Sequence, residues 1–191
     1  METYVVSALL VALAEMGDRT QLLAIMLASR YRKPAPILAG ILVATLANHA
    51  LAALAGYYVS SLFAATWFKY AIAASFIAMA AWALIPDKAD EEEKPSKLGA
   101  GVFLTTVVSF FLVEIGDKTQ IATAALAARY HDVLVVAAGT TTGMMLANIP
   151  AVLLGHAVTR VLPLKALRIA AALLYLGLGV WALAKTAGWA P

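Results

Sequence analysis

Long apolar segments constrain the fold of this chain more than any other feature. A helix needs about 20 mostly apolar residues to cross the hydrocarbon core of a bilayer, and six segments approach or exceed that length. They are Tyr4–Ser29, Pro36–Val59, Phe68–Ile85, Gly99–Ala128, Val133–Val158 and Ala166–Lys185. These runs are too long, and too uniformly apolar, for the alternating strands of a β-barrel. The sequence therefore predicts an all-α integral membrane protein with six transmembrane helices.

The composition excludes several other classes of protein. Hydrophobic residues make up 63% of the 191 residues and charged residues only 13%, against about 25% charged in a soluble domain. The net charge of +3 comes without a basic run interleaved with aromatics, so nucleic acid is not an expected partner. The absence of cysteine excludes disulfides and thiolate sites. No cofactor is expected. The N-terminus lacks the features of a cleaved signal, so the first apolar segment should be retained.

The chain repeats itself at an offset of 99 residues. The segment Glu15–Gln21 (EMGDRTQ) matches Glu114–Gln120 (EIGDKTQ). The same offset pairs Arg30-Tyr31 with Arg129-Tyr130, Gly40 with Gly139, Gly56 with Gly155, Lys69 with Arg168 and Trp82 with Trp181. Leu46–Asn48 matches Leu146–Asn148 at an offset of 100, which predicts a local slip of one residue. Alanine-rich low complexity cannot produce a seven-residue polar match inside two apolar segments.

Three units follow from this duplication. Residues 1–85 form the first three-helix repeat, residues 86–98 a charged linker, and residues 99–191 the second repeat. Because each repeat holds an odd number of spans, the second should enter the membrane in the opposite direction. This is the inverted-repeat plan of many secondary transporters, whose sites lie near the midplane between the halves. The acidic run Asp90–Glu93 could attract cations, although a solvated hinge is its more usual role.

The distribution of Lys and Arg predicts the orientation. The connections between spans 1–2, 3–4 and 5–6 carry nine of them, and the opposite side carries three, Lys69, Arg129 and Lys185. The positive-inside rule therefore places the linker in the cytoplasm and both termini outside.

Four acidic residues fall near the middle of predicted spans, namely Glu15, Asp18, Glu114 and Asp117. A charge there costs at least about 2.5–3.5 kcal/mol, so four at two symmetric places indicate a function. On a continuous helix, Glu15 and Asp18 would share one face, as would Glu114 and Asp117. We predict that these four carboxylates bind a metal ion.

Neighbouring residues could support this site. Arg19 and Lys118 add two cations, so the cluster has a net charge of −2, which one divalent cation or two protons would neutralise. Gly17 and Gly116 could allow close backbone approach or loosen the helix and expose carbonyl oxygens. Neutral oxygens come from Thr20, Thr119, Gln21 and Gln120, and the candidates for outer support are Asn48 and Asn148.

Other interpretations of the same residues remain open at this point. Two intrahelical salt bridges, Glu15–Arg19 and Glu114–Lys118, could have a purely structural role. The Asp of each motif would then be left without a partner. Paired carboxylates could serve acid–base chemistry, yet no nucleophile–base pair or HExxH pattern accompanies them. His49 could carry protons, although a packed, hydrogen-bonded histidine is more usual.

Ligand chemistry narrows the ion. Carboxylate, amide, hydroxyl and carbonyl oxygens suit hard cations such as Mg²⁺, Ca²⁺ and Mn²⁺. Neither motif contains Cys or His, which disfavours Zn²⁺ and Cu. The residues alone predict a hard divalent cation.

The doubled Glu-x-Gly-Asp-Arg/Lys-Thr motif resembles that of the manganese/calcium–proton exchangers of the eukaryotic Golgi and of bacterial membranes. Both copies match in full, and the likeness extends over nearly the whole chain. The resemblance implies six core helices, export of Mn²⁺ or Ca²⁺ from the cytosol in exchange for H⁺, and roles for Glu15, Asp18, Glu114 and Asp117 in that exchange. The short chain looks like a bacterial member, in which manganese efflux is the commoner role. Arg19 stands where the second motif has Lys118, so the half-sites need not be equivalent.

We therefore expect a transporter, not an enzyme, that exports Mn²⁺ across the bacterial inner membrane by alternating access, with H⁺ as counter-ion. Ca²⁺/H⁺ antiport is the nearest alternative. A passive cation channel and a non-transporting scaffold are the others. Membrane lipid and a divalent cation are the expected partners, and a homodimer is one candidate assembly.

Overall fold

The computed structural model describes residues 1–62, 66–85, 101–155, 157 and 163–189. These residues form eight α-helices. They are α1 (Glu2–Glu15), α2 (Arg19–Tyr31), α3 (Pro34–Leu62), α4 (Thr66–Ala83), α5 (Val102–Glu114), α6 (Lys118–Tyr130), α7 (Val133–Leu154) and α8 (Leu164–Thr186). The predicted linker and its acidic run lie outside the described residues.

The helix boundaries repeat at the offset found in the sequence. α2 and α6 begin and end 99 residues apart, and so do the first residues of α3 and α7. Both α2 and α6 end at a residue with left-handed backbone, Arg32 (φ 51°) and His131 (φ 54°), whose N–H bonds to the carbonyl four residues before it. The duplication is therefore a duplication of local structure as well as of sequence.

The first and fourth predicted spans are not continuous helices, so the structure shows the loosened helix of the two alternatives for Gly17 and Gly116. The prediction that the Glu and Asp of each motif share one helical face was wrong. The first span divides into α1 and α2, and the fourth into α5 and α6. Gly17 (φ +85°) and Gly116 (φ +78°) lie at the two breaks, in a backbone region that costs other residues about 1–2 kcal/mol. Asp18 and Asp117 then occupy the N-cap positions of α2 and α6, which Asp favours.

Small residues let the helices of the two repeats pack closely. α1 packs along α7, α5 along α3, and α4 along α8, while α3 and α7 pack against each other. A Cβ on Gly40 would lie 2.7 Å from the Cβ of Thr106, and one on Gly139 would lie 2.9 Å from the Cβ of Ser7. These two crossings join residues related by the same offset of 99. The helices therefore interlock in two matching pairs.

Apolar helices and an apolar exterior fit a bilayer. α3, α7 and α8 are long and apolar enough to cross a membrane by length and composition, and α5 is a shorter apolar helix. Large aliphatic side chains such as Leu134 (82% exposed) and Leu173 (63% exposed) face outward. The described residues are thus all-helical, and their apolar helices are consistent with a membrane protein.

Candidate ion-binding site

The two helix breaks meet inside the bundle and bring carboxylates from both repeats together. One carboxylate oxygen each from Glu15, Asp18 and Asp117 lies within 4.8 Å of the other two. All three side chains are buried, as is Glu114, which does not belong to that group of three. Three of the four carboxylates that the sequence singled out therefore converge.

The spacing of these oxygens suits a single hard cation. Ca²⁺–oxygen distances are about 2.3–2.6 Å and Mg²⁺–oxygen distances about 2.0–2.1 Å, so two oxygens on opposite sides of one ion are separated by twice that length. A limit of 4.8 Å between the three oxygens thus lets one ion contact all of them after small side-chain movements. Both helix breaks lie at the site, as in transporters with discontinuous helices.

The cations of the motifs reach across to the opposite repeat. Arg19 Nη2 lies 3.3 Å from Asp117 Oδ1, and it also donates to the carbonyl oxygen of Val113 at 3.4 Å. Lys118 Nζ lies 3.9 Å from Asp18 Oδ1. The intrahelical alternative would have kept each cation on its own motif. The observed pairs instead connect the two halves of the chain at the site.

The motif threonines hold the glutamates in place. Thr20 donates a hydrogen bond from its hydroxyl to Glu15. Thr119 Oγ1 lies 3.4 Å from Glu114 Oε2 and 3.2 Å from Asp117 Oδ2, and the backbone N–H of Thr119 donates to the same Asp117 oxygen. Each hydroxyl thus orients a carboxylate of its own motif. Glu15 Oε2 and Glu114 Oε1 remain buried without a hydrogen-bond partner among the described residues, so each glutamate keeps an oxygen available for an ion or a proton.

The motif glutamines brace the helix breaks. Gln21 Oε1 accepts from the N–H of Gly17 at 2.9 Å, and Gln120 Oε1 accepts from the N–H of Gly116 at 2.7 Å. The amide of Gln21 donates to the carbonyl of Ala147, and that of Gln120 lies 3.5 Å from Asn48 Oδ1. The side-chain oxygens of Gln21 and Gln120, which were predicted to be neutral ligands of the ion, therefore accept hydrogen bonds from the glycine N–H groups.

Asn48 and Asn148 do not occupy equivalent places. Asn48 donates to the carbonyl of Phe111 at 3.1 Å, whereas Asn148 donates to Met144 of its own helix. Gln21 and Gln120 contact Ala147 and Asn48, which are 99 residues apart. The local slip of one residue was therefore wrong, and the equivalent of Asn148 is His49. His49 is fully buried, and its ring nitrogens have no hydrogen-bond partner among the described residues.

Two residues beside the site escaped the sequence reasoning. Tyr175 and Arg168, both on α8, line a small cavity together with Asp18 and Lys118. The Tyr175 ring is buried, and its hydroxyl has no hydrogen-bond partner within the described ranges. The offset of 99 pairs Tyr175 with Phe76. The sequence feature that distinguished Tyr175 was therefore a hydroxyl group that its repeat mate lacks. Only a structure could bring it next to the motif.

The two half-sites differ in their surroundings. A Cβ on Gly17 would lie 2.8 Å from a methyl group of Leu164, the first residue of α8, while one on Gly116 would meet nothing within 4 Å. Lys118 pairs with Asp18 at the first break, and its side chain is 9% exposed. Arg19 pairs with Asp117 at the second break, and its side chain is 28% exposed. The first break is therefore covered by α8, and the second is open on that side.

Substitution of Gly116 by Ala tests the role of the backbone at the break. We expect Gly116→Ala to lower the free energy of unfolding by about 1–2 kcal/mol, because only its positive φ opposes a side chain. Gly177→Ala is the matched control, since Gly177 also has open space but lies inside α8, where Ala is favoured over Gly by up to about 1 kcal/mol. Thermal unfolding in detergent measures both. Equal tolerance of the two substitutions would contradict the assigned break.

Comparison with known proteins shows the family to which the chain belongs. The family model described as "Divalent cation/proton antiporter GDT1" matches residues 3–91 and 102–189. The chain belongs to the GDT1 family. The resemblance inferred from the doubled motif is thereby confirmed, as is the prediction of a transporter and not an enzyme.

A close relative within the GDT1 family comes from Vibrio cholerae. That protein, named "Putative manganese exporter", is 51% identical over 177 residues, which cover 92% of this chain and 88% of the relative. No solved structure matches the chain.

Proposed function

We propose that this member of the GDT1 family exports Mn²⁺ from the cytoplasm in exchange for protons, by alternating access across the bacterial inner membrane. The observation that carries the proposal is the convergence of buried Glu15, Asp18 and Asp117 oxygens from the two repeats. Glu114, buried beside them, completes the four-carboxylate site. The name of the Vibrio cholerae relative favours Mn²⁺ as the ion, and the all-oxygen ligands agree with a hard cation.

Coupling to protons follows from the chemistry of the ligands. Carboxylates must be deprotonated to bind a metal, so metal binding releases protons. With Arg19 and Lys118 included, the four carboxylates leave a net charge of −2, which one divalent cation or two protons can neutralise. A site that holds either the ion or the protons exchanges one for the other when it opens alternately to the two sides.

Uptake into proteoliposomes tests this function. A pH gradient imposed across the vesicle membrane should drive Mn²⁺ against its own concentration gradient, and collapse of the pH gradient with a protonophore should stop that movement. Parallel assays with Ca²⁺ and Mg²⁺ establish which ion is preferred. Movement of Mn²⁺ only down its own gradient, whatever the pH gradient, would identify a passive channel instead.

We further propose six spans in two inverted repeats, residues 1–85 and 99–191, joined by a cytoplasmic linker at 86–98. In this arrangement α1 with α2 forms one discontinuous span and α5 with α6 another. Each pair contains 26 or 27 helical residues, or roughly 40 Å at 1.5 Å per residue, against about 30 Å of hydrocarbon. The matching boundaries at an offset of 99 support two equivalent halves.

The orientation can be measured because the chain contains no cysteine. A single cysteine introduced within residues 87–97 should be protected from an impermeant thiol reagent in intact cells, and one at position 191 should react. This expectation rests on the nine-to-three distribution of Lys and Arg. The reverse labelling pattern would place the linker outside and both termini in the cytoplasm, contrary to the proposed orientation.

A further inference from the structure

A second cavity lies well away from the carboxylate cluster. It has a volume of about 710 Å³ and is bounded by the C-terminal ends of α3, α6 and α8 and by the first turns of α4. Four basic side chains line it, Lys69, Arg129, His131 and Lys185. Three of them are the only Lys and Arg residues that the sequence assigns to the side of the termini. None of the motif residues contributes to its wall.

The positive charge of this cavity is not neutralised by acidic side chains among the described residues of its wall. No Asp or Glu is among the described residues that line it, and the neighbouring segment 63–65 contains only Phe and Ala. Asp132 follows His131 in the chain, but its carboxylate caps α7 by accepting from the N–H of Val135 at 3.1 Å. A cavity lined by cations disfavours a divalent cation by Coulomb repulsion, so it is poorly suited to the transported ion.

The Arg129 guanidinium packs against the ring of Trp181 and has a donor without a partner among the described residues. Its guanidinium carbon lies 4.5 Å from the ring centroid of Trp181, and Lys185 Nζ lies 5.5 Å from the centroid of the same ring. Arg129 Nη2 is buried and has no hydrogen-bond partner within the described part of the chain. A buried donor without a partner is unfavourable, and rotation of the guanidinium toward the cavity would let an oxygen of a bound anion accept from it.

We propose that this basic cavity binds a phosphate-bearing anion, such as the headgroup of an anionic phospholipid. A guanidinium and two ammonium groups around one space match the charge of a phosphate. Apolar side chains of Phe68 and Ile72 continue the wall and suit the start of an acyl chain. The volume falls in the usual range of ligand sites, about 300–1,000 Å³.

Native mass spectrometry of the purified full-length protein tests the proposal. The probes are phosphatidylglycerol, phosphatidylcholine with the same acyl chains, and inorganic phosphate as a competitor. We expect phosphatidylglycerol to bind at least about tenfold more tightly than phosphatidylcholine. Lys69→Gln/Lys185→Gln should remove this preference, and so should Arg129→Gln. Both lysines are exposed, so the double variant preserves the packing even if loss of Arg129 does not.

The matched control is Arg30→Gln/Lys165→Gln. It removes two exposed cations from the opposite end of the bundle and should retain the preference. Phosphatidylglycerol binding that persists in millimolar phosphate assigns the cavity to a lipid headgroup, and full displacement by phosphate assigns it to the free anion. Equal binding of the two lipids overturns the proposal, as does an equal loss in the test and control variants. Neither result depends on whether the protein transports Mn²⁺.

Discussion

Replacement of Asp18 and Asp117 together by Asn should reduce Mn²⁺ transport by at least about 100-fold while the protein still inserts and folds. The two substitutions remove two of the three carboxylates whose oxygens lie within 4.8 Å of one another. Loss of even an outer partner of a metal ligand commonly costs 10–100-fold in affinity or activity. Asn keeps the size of Asp and a side-chain oxygen for the N-cap, so the helix starts at Arg19 and Lys118 should survive.

The matched control for this variant is Asp132→Asn. Asp132 is also the N-cap of a helix, and its carboxylate accepts from the N–H of Val135, but it lies outside the carboxylate cluster. Initial rates of Mn²⁺ uptake into proteoliposomes, normalised to reconstituted protein, compare the two. Flux close to that of the unsubstituted protein in Asp18→Asn/Asp117→Asn would refute the proposed site, whereas Asp132→Asn should transport normally.

Mn²⁺ affinity should fall steeply as the pH drops from about 8 to 6. Protons and metal compete for the same carboxylate oxygens, so lower pH favours the protonated, metal-free site. Displacement of one proton per ion gives a tenfold change in affinity per pH unit, and displacement of two gives about a hundredfold change. The pH range follows from the general behaviour of carboxyl groups in buried, like-charged surroundings.

Isothermal titration in buffers of different ionisation enthalpy counts the protons released on Mn²⁺ binding. Glu114→Gln is the informative variant, because Glu114 is buried beside the three clustered carboxylates but is not one of them. It should still bind Mn²⁺, with fewer protons released. An affinity that is flat over the range, without proton release, would leave passive permeation as the better account of the site.

Several features of the site could be predicted from residue types and their spacing alone. Carboxylates in the middle of apolar segments are costly, and a duplicated polar motif at an offset of 99 indicates that they belong to one symmetric site. Glu15, Asp18 and Asp117 were predicted on these grounds, and the structure brings them together; their role as metal ligands stays a prediction. The divalent cation was predicted from ligand chemistry, because oxygen ligands without Cys or His leave few alternatives.

The helix breaks could not be predicted from residue types and their spacing. Gly17 is compatible with a continuous, closely packed helix or with a break, and periodicity does not distinguish the two. The partners in the ion pairs could not be predicted either, because Arg19 is four residues from Glu15 in the sequence and reaches Asp117 only in the tertiary fold. Tyr175 carries no motif, so its contact with the cavity beside Asp18 depends entirely on how α8 packs.

The crossed ion pairs have a consequence for the autonomy of each half. Arg19 neutralises a carboxylate that the second repeat supplies, and Lys118 does the same for the first. A repeat expressed by itself would lack the cation that the other repeat places beside its aspartate. A charge-changing substitution at one motif therefore removes one of the two ion pairs that join the halves, so its effect extends to the opposite motif.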